Sequence, residues 1–316
     1  MLPEERDYTR ALSLSRLAYD MESLTSPILA AGLLTLVSYH WLFSGTAIGF
    51  VSSALLVVST VLPKPALVEN EGGIYDKTTR GTRIYLATPR LRGLLALTLT
   101  AAAASAMVIV NTVVIVRGLG RGQRDAALTL AAFGGGSITA ALILPRILDR
   151  VADRSVMLVA AAVLTLALAA LAAITASMPP GAAYWHVLLA GWLLLGIAYS
   201  ASVTPSGRLL RRSANAEDRP ALFAAQFALS HVCWLVCYPL VGQLGARVSM
   251  TAAFGAMAVV AAIGTLVAFW IWPASDPDAI AHEHGDLAND DPHLRIHAQG
   301  DHPYVIDRRH RQWPEA

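Results

Sequence analysis

The stretch TPSGRLLRRSANAEDRPALFAAQFALSHVCWLVCYP, residues 204–239, decides how the whole chain is read. A hydrophobic helix end passes through Thr204, Pro205, Ser206 and Gly207 into a cationic turn carrying Arg208, Arg211, Arg212 and Arg219, and a second apolar run starts at Pro220. Between Ala221 and Leu244 there is no Lys, Arg, Asp or Glu, and about 20 such residues are enough to cross the hydrocarbon core as a helix. The pattern is that of a chain leaving a membrane, turning on its surface and re-entering. On a helix, Gln226, Ser230, Cys233 and Cys237 form one polar stripe, and Phe227, His231, Trp234 and Tyr238 form the stripe beside it. A histidine is therefore expected at membrane depth.

Composition agrees. Of 316 residues, 55% are hydrophobic and 15% charged, with a mean hydropathy of +0.51; an ordinary soluble domain has about 25% charged residues. The fold class expected is an all-α polytopic membrane protein. The net charge of +2 carries no nucleic-acid signature. Both cysteines lie inside the span just described, where they read as small packing residues, with a soft metal pair as the alternative. The start of the chain, with Glu4, Glu5, Arg6 and Asp7, lacks the basic segment that precedes a cleaved leader.

Eight transmembrane helices are expected: Leu24 to Phe43, Thr46 to Leu62, Gly93 to Val116, Ala126 to Leu144, Ser155 to Ser177, Tyr184 to Ser206, Pro220 to Leu244 and Ser249 to Trp272. Gly45 leaves room only for a tight hairpin between the first two. No Lys, Arg, Asp or Glu lies inside any of them, so helix contacts must come from small residues such as the run Gly134 to Ser137, Gly191 and Gly196. Residues 63–92 read as a hydrophilic cytoplasmic linker with a short amphipathic piece around Tyr85. Residues 273–316 read as a flexible His-rich tail. Twenty of the 24 Lys and Arg residues fall on the side of the N-terminus and only Arg117, Arg121, Arg124 and Arg247 on the other. The positive-inside rule then makes both termini, the linker and the tail cytoplasmic, in a plasma-membrane protein.

Several segments resemble the major facilitator superfamily: Thr204 to Ser213, Phe223 to His231, Ala87 to Arg92, and the tail. The closest resemblance is to bacterial efflux proteins akin to the enterobactin exporter and nickel-resistance permeases. Pro145 to Arg154 is similar to that superfamily's cytoplasmic loop motif without its leading glycine. The resemblance implies that Asp149 and Arg150, with Arg154, form a gating clamp. It also implies a secondary transporter, by alternating access of two bundles about a midplane site, exporting a small solute (drug, siderophore or divalent metal) on a proton gradient. Two spans precede the linker here and six follow it. The chain is thus expected to match spans five to twelve of twelve: residues 1–62 a remnant of an N-terminal bundle, 63–92 the linker, 93–272 the C-terminal six-helix bundle, 273–316 the tail. The absent N-terminal helix set is expected upstream or on a separate chain, and a non-transporting remnant or accessory subunit is the alternative.

The site candidates follow from polar and aromatic residues at membrane depth. His231 and Gln226 are either coupling or substrate contacts, or interhelical hydrogen bonds. Asn111, placed on a path-lining helix by the resemblance, carries the same pair of readings. Trp192 and Tyr199 are either cavity lining for an amphipathic substrate or packing, while Tyr184 and Trp185 read as interfacial anchors. In the tail, His282, His284, His293, His297 and His302 offer imidazole ligands for nickel or zinc, or are mere composition. No cofactor and no catalytic set is expected, and the sequence has no GxxxxGK[ST] phosphate loop. The partners expected are the lipid bilayer and a small-molecule or ion substrate.

Overall fold

A computed structural model describes residues 13–15, 37–59, 74–276, 279–281, 301–306, 310 and 313–314, besides positions 18, 22 and 33. Its helices are α1 (Tyr39–Ser59), α2 (Ile74–Ala87), α3 (Pro89–Gly118), α4 (Gln123–Leu148), α5 (Asp153–Ser177), α6 (Ala182–Val203), the short α7 (Ser206–Arg212), α8 (Arg219–Arg247) and α9 (Met250–Ile271). Two three-residue strands, β1 (Ala279–Ala281) and β2 (Asp301–Pro303), pair antiparallel after the last helix. Six helical spans are long and apolar enough to cross a membrane, α6 and α7 counting as one, and they form an all-α polytopic membrane protein.

The molecule is built round α3. Pro at its first position and Thr88 before it start the helix, with the Pro lacking only an N–H that would have had no partner there. It then runs through Ala101, Ala102, Ala103, Ala104, Ser105 and Ala106, all buried. A helix this apolar can pack on several sides at once, and α3 packs against α2, α4, α5, α6, α7, α8 and α9, leaving Ile109, Val113 and Val114 exposed. Small residues set the other contacts. A Cβ on Gly136 of α4 would lie 2.1 Å from the Leu193 carbonyl oxygen, and one on Gly196 of α6 would lie 1.9 Å from that of Phe133. The two backbones meet reciprocally at glycine, in the manner of close membrane helix pairs.

Three expectations change. The first two spans divide differently: α1 runs without a break through Ser44 and Gly45, so Gly45 is mid-helix and no hairpin forms there. In lipid a broken turn leaves backbone groups with no water to bond, and with no proline or charge between Tyr39 and Ser59 continuing the helix costs least. Ser44 Oγ donates back to the His40 carbonyl. Most of the first expected span, Leu24 to Phe43, lies outside the described residues, so the expected total of eight is reached only in part: six long spans and the shorter apolar helix Phe43–Ser59. Secondly, the short amphipathic piece expected around Tyr85 within the linker is the longer helix α2, packed on α8, in which Ile84 and Tyr85 are buried. Thirdly, the described part of the tail returns to the bundle, with Tyr304, Val305, Ile306 and His310 buried.

Candidate functional site

The polar stripe of α8 faces inward: Ser230, Cys233 and Cys237 are buried and Gln226 is half-buried. The Tyr85 hydroxyl donates to Gln226 Oε1 at 2.5 Å, joining α2 to α8. Burial pushes the Tyr85 phenol far above the ordinary tyrosine range, with the nearby Cys233 acting in the same direction. Gln226 is thus held by a neutral donor.

Asn111 of α3 is buried, and its Nδ2 donates to the Val241 carbonyl of α8 at 3.4 Å and to Met107 Sδ at 3.5 Å. A Cβ on Gly245 would lie 2.8 Å from Asn111 Oδ1, so glycine there makes room for the amide. Trp192 of α6 is fully buried and its Nε1 donates to Thr112 Oγ1 at 2.8 Å, while the Thr112 hydroxyl in turn donates to the Val108 carbonyl. Tyr199 lies 5.6 Å from Phe133, ring centre to ring centre. On the same pattern Trp234 Nε1 donates to Ser105 Oγ at 2.9 Å. A hydroxyl cluster of Thr100, Thr165 and Thr265 ties α3, α5 and α9 together. Every one of these contacts is neutral, as expected where a charge would be costly.

His231 stands apart. It is exposed on α8, one residue round from the inward stripe, with Nδ1 donating to the Phe227 carbonyl at 2.7 Å. Its ring lies 4.1 Å from that of Phe227 and edge-on to Trp234 at 5.4 Å. The structure therefore groups Asn111, Gln226 and Trp192 inside the bundle and puts His231 on its outer surface.

At one end of the bundle the helix termini are joined by charge. Arg90, only 1% exposed, pairs with Asp276 at 3.2 Å, and Asp276 also takes Arg212 and the Trp272 indole N–H, the latter at 3.1 Å. Arg80 pairs with Asp218 through Nε at 2.6 Å and Nη2 at 2.9 Å. Arg208 reaches Asp153 at 3.6 Å. Of the expected clamp, Arg154 donates to the carbonyls of Trp272 (3.0 Å) and Phe269 (3.2 Å), placing a cation at the negative C-terminal end of α9. Asp149 and Arg150 are exposed just after α4, and the buried acid of this loop is Asp153. Sequence reading counted Arg90 as topological charge, and Arg208 and Arg212 as the same charge with a gating role as an extra. Their pairing with Asp153 and Asp276 joins positions more than 50 residues apart, and no local spacing signals it.

At the other end Gly120, with φ of +70°, makes the turn after α3, and the Arg121 guanidinium lies 3.9 Å over the Trp185 ring while pairing with Asp125 at 3.5 Å. Tyr184 is buried, its hydroxyl 2.9 Å from Thr175 Oγ1. Of the tail histidines, His282, His284, His293 and His297 lie outside the described residues, and His302 sits in β2 opposite Ile280. Among the described residues no group of three or more His, Cys, Asp or Glu is placed to hold a metal ion.

Six apolar spans, neutral polar contacts between them and ion pairs at their ends define a multi-pass membrane protein. The sequence matches the profile of the Major Facilitator Superfamily over residues 1–185 and 94–292. The chain belongs to that superfamily, a family of membrane transporters of small molecules. No curated protein matches it closely.

Proposed function

We propose that the protein exports a small solute from the cytoplasm of the cell across the plasma membrane against a proton gradient, with His231 as the group that carries the proton. The cargo is of the drug, siderophore or divalent-metal kind, as the resemblance to the enterobactin and nickel efflux branch suggests. One observation carries the reading. The described spans hold no acid or lysine at membrane depth, and His231, midway along α8, is the imidazole that remains there. With one ring nitrogen bonded to the Phe227 carbonyl, the imidazole keeps the other to take up and pass on a proton. It also lies on an aromatic face, between Phe227 and Trp234, where an amphipathic solute and a proton would compete for the same surface. Gln226 is tied to Tyr85 of α2 and Asn111 to the Val241 carbonyl, so both fix α8 against its neighbours.

The test is transport in proteoliposomes by the chain purified under conditions that retain any partner chain, with nickel(II) and a fluorescent amphipathic cation as probes and an imposed pH gradient. Gradient-driven movement of one probe is expected, lost in both His231→Leu and His231→Gln. Equal gradient-driven transport by wild type and His231→Leu would remove His231 from the mechanism. Movement of neither probe would count against export of these cargo classes.

A further inference from the structure

α9 reaches the ion-paired end of the bundle with an outer face that stays apolar. Val259, Ile263, Leu266 and Trp270 are all exposed, Trp270 to 79%, and their spacing puts them on one stripe of the helix. The rise from Val259 to Trp270 is about 16 Å, close to the ~15 Å of one leaflet, half of a hydrocarbon core. α5 packs beside α9 and adds Val159 and Leu166, exposed as well. The seam of these two helices thus presents an apolar surface one leaflet deep.

A cation stands at the end of that surface. Arg154, the second residue of α5, donates from Nε to the Trp272 carbonyl at 3.0 Å and from Nη2 to that of Phe269 at 3.2 Å, and its Cζ lies 5.7 Å from the Phe269 ring centre. The Phe269 ring in turn meets that of Trp270 edge-on at 6.0 Å. These contacts orient the guanidinium and use two of its five N–H donors, leaving three for another acceptor. All of its partners are neutral. The adjoining acid, Asp153, is buried and turned to Arg208 at 3.6 Å, and Asp276 beside Trp272 is taken by Arg90 and Arg212. Arg150, four residues before Arg154, is exposed and adds positive charge at the same end.

We propose that the seam of α5 and α9 binds one anionic phospholipid, its phosphate on Arg154 and an acyl chain along the stripe from Trp270 to Val259. A guanidinium fork suits a phosphate, and Trp270 at the end of the stripe marks the depth of headgroup and glycerol, where tryptophan is favoured. A zwitterionic headgroup would bring its ammonium against Arg154 and Arg150, so the local charge selects a headgroup without one. An acidic protein segment would match the cation and leave the stripe uncovered. The proposal needs only that the chain spans a membrane. Cargo and proton coupling do not enter it.

The experiment is quenching of tryptophan fluorescence by lipids brominated high on the acyl chain, with the full chain in nanodiscs of unbrominated phosphatidylcholine. Brominated phosphatidylglycerol or brominated phosphatidylcholine is included at the same low mole fraction, and the signal of Trp270 is the difference between wild type and Trp270→Phe. Phosphatidylglycerol is expected to quench Trp270 about fivefold more strongly, the weight of one interfacial arginine. Unbrominated phosphatidylglycerol should reverse the excess, and unbrominated phosphatidylcholine should not. Arg154→Gln should abolish it. Arg146→Gln, which removes an exposed charge of α4 at the same end, should leave it unchanged. Equal quenching by the two lipids in wild type would overturn the proposal without recourse to a variant. An excess that survives Arg154→Gln would overturn the placement of the phosphate. Equal losses in Arg146→Gln and Arg154→Gln would reduce the effect to diffuse attraction by the basic end and overturn the site. Reversal by a soluble glutamate peptide, with unbrominated phosphatidylglycerol inert, would assign Arg154 to a protein partner instead.

Discussion

An indole N–H in the hydrocarbon core has no water to turn to, and Trp192 solves this by donating to Thr112, whose own proton goes to Val108. Thr112→Val keeps the volume but removes the acceptor, so it should cost about 1–2 kcal/mol, while Thr112→Ser should cost less than half of that. Thermal unfolding in detergent reads the difference, and equal melting temperatures for the two variants would show that Trp192 finds another partner. Tyr85 gives a second expectation, in pH. Its folded phenol is raised above its unfolded value, so the stability it contributes is complete below about pH 10 and is lost as pH rises through the folded value. Wild type should therefore weaken at strongly alkaline pH, and Tyr85→Phe should weaken less steeply there, although it starts lower for want of the Gln226 bond. Parallel pH curves for the two would refute this. The faces of these residues were legible in the sequence, since helical spacing alone put Gln226, Ser230, Cys233 and Cys237 on one stripe. Their partners were not. Thr112 and Trp192 stand 80 residues apart, and which hydroxyl meets which indole depends on the rotation of two helices that no local pattern sets.

At the level of elements, the small residues carried the information. Gly134 to Ser137 and Gly196 were read as contact points because lipid gives apolar helices no reason to associate except close packing, and Gly136 and Gly196 are where α4 and α6 meet. Gly196→Ala would put a methyl 1.9 Å from the Phe133 carbonyl oxygen, so one helix must shift, at a cost of about 1–3 kcal/mol. Gly135→Ala meets nothing within 4 Å and serves as the control. A lower melting temperature and a smaller monodisperse fraction are expected for Gly196→Ala alone, and indistinguishable behaviour of the two would mean that the α4–α6 contact yields without cost. The same attention to glycine misled at Gly45, where it was taken for a turn. In water a glycine beside serine often ends a helix, but in lipid the backbone's need for internal hydrogen bonds outweighs glycine's low propensity. The amphipathic piece read around Tyr85 is α2, where Arg80 pairs with Asp218 and Tyr85 is buried.

On the scale of the whole molecule, the direction of insertion is the property with most consequences, and two independent features address it. The first is the count of twenty cationic residues against four, which the positive-inside rule converts into cytoplasmic termini. The second is spatial. Arg90 at the start of α3, Asp153 and Arg154 at the start of α5, Arg208 and Arg212 on α7, Asp218 before α8 and Asp276 after α9 are joined by the ion pairs and carbonyl contacts described above. They therefore occupy one end of the bundle. Arg121, with Trp185 and Asp125, belongs to the other end, and the 30 residues of α3 separate the two by about 45 Å, more than a hydrocarbon core. The tail could not be read in this way from composition. Its proline and histidine suggested an extension without contacts, whereas Tyr304 and Trp313 find Arg90 more than 200 residues away. If the ion-paired end is cytoplasmic, an impermeant maleimide applied to intact cells should modify Pro180→Cys, in the exposed turn between α5 and α6, and should spare Asn215→Cys, in the exposed turn between α7 and α8. Permeabilised cells should label both, which excludes burial as the reason for protection. Labelling of Asn215→Cys in intact cells with Pro180→Cys spared would invert the molecule and place the Arg90 nexus outside the cell.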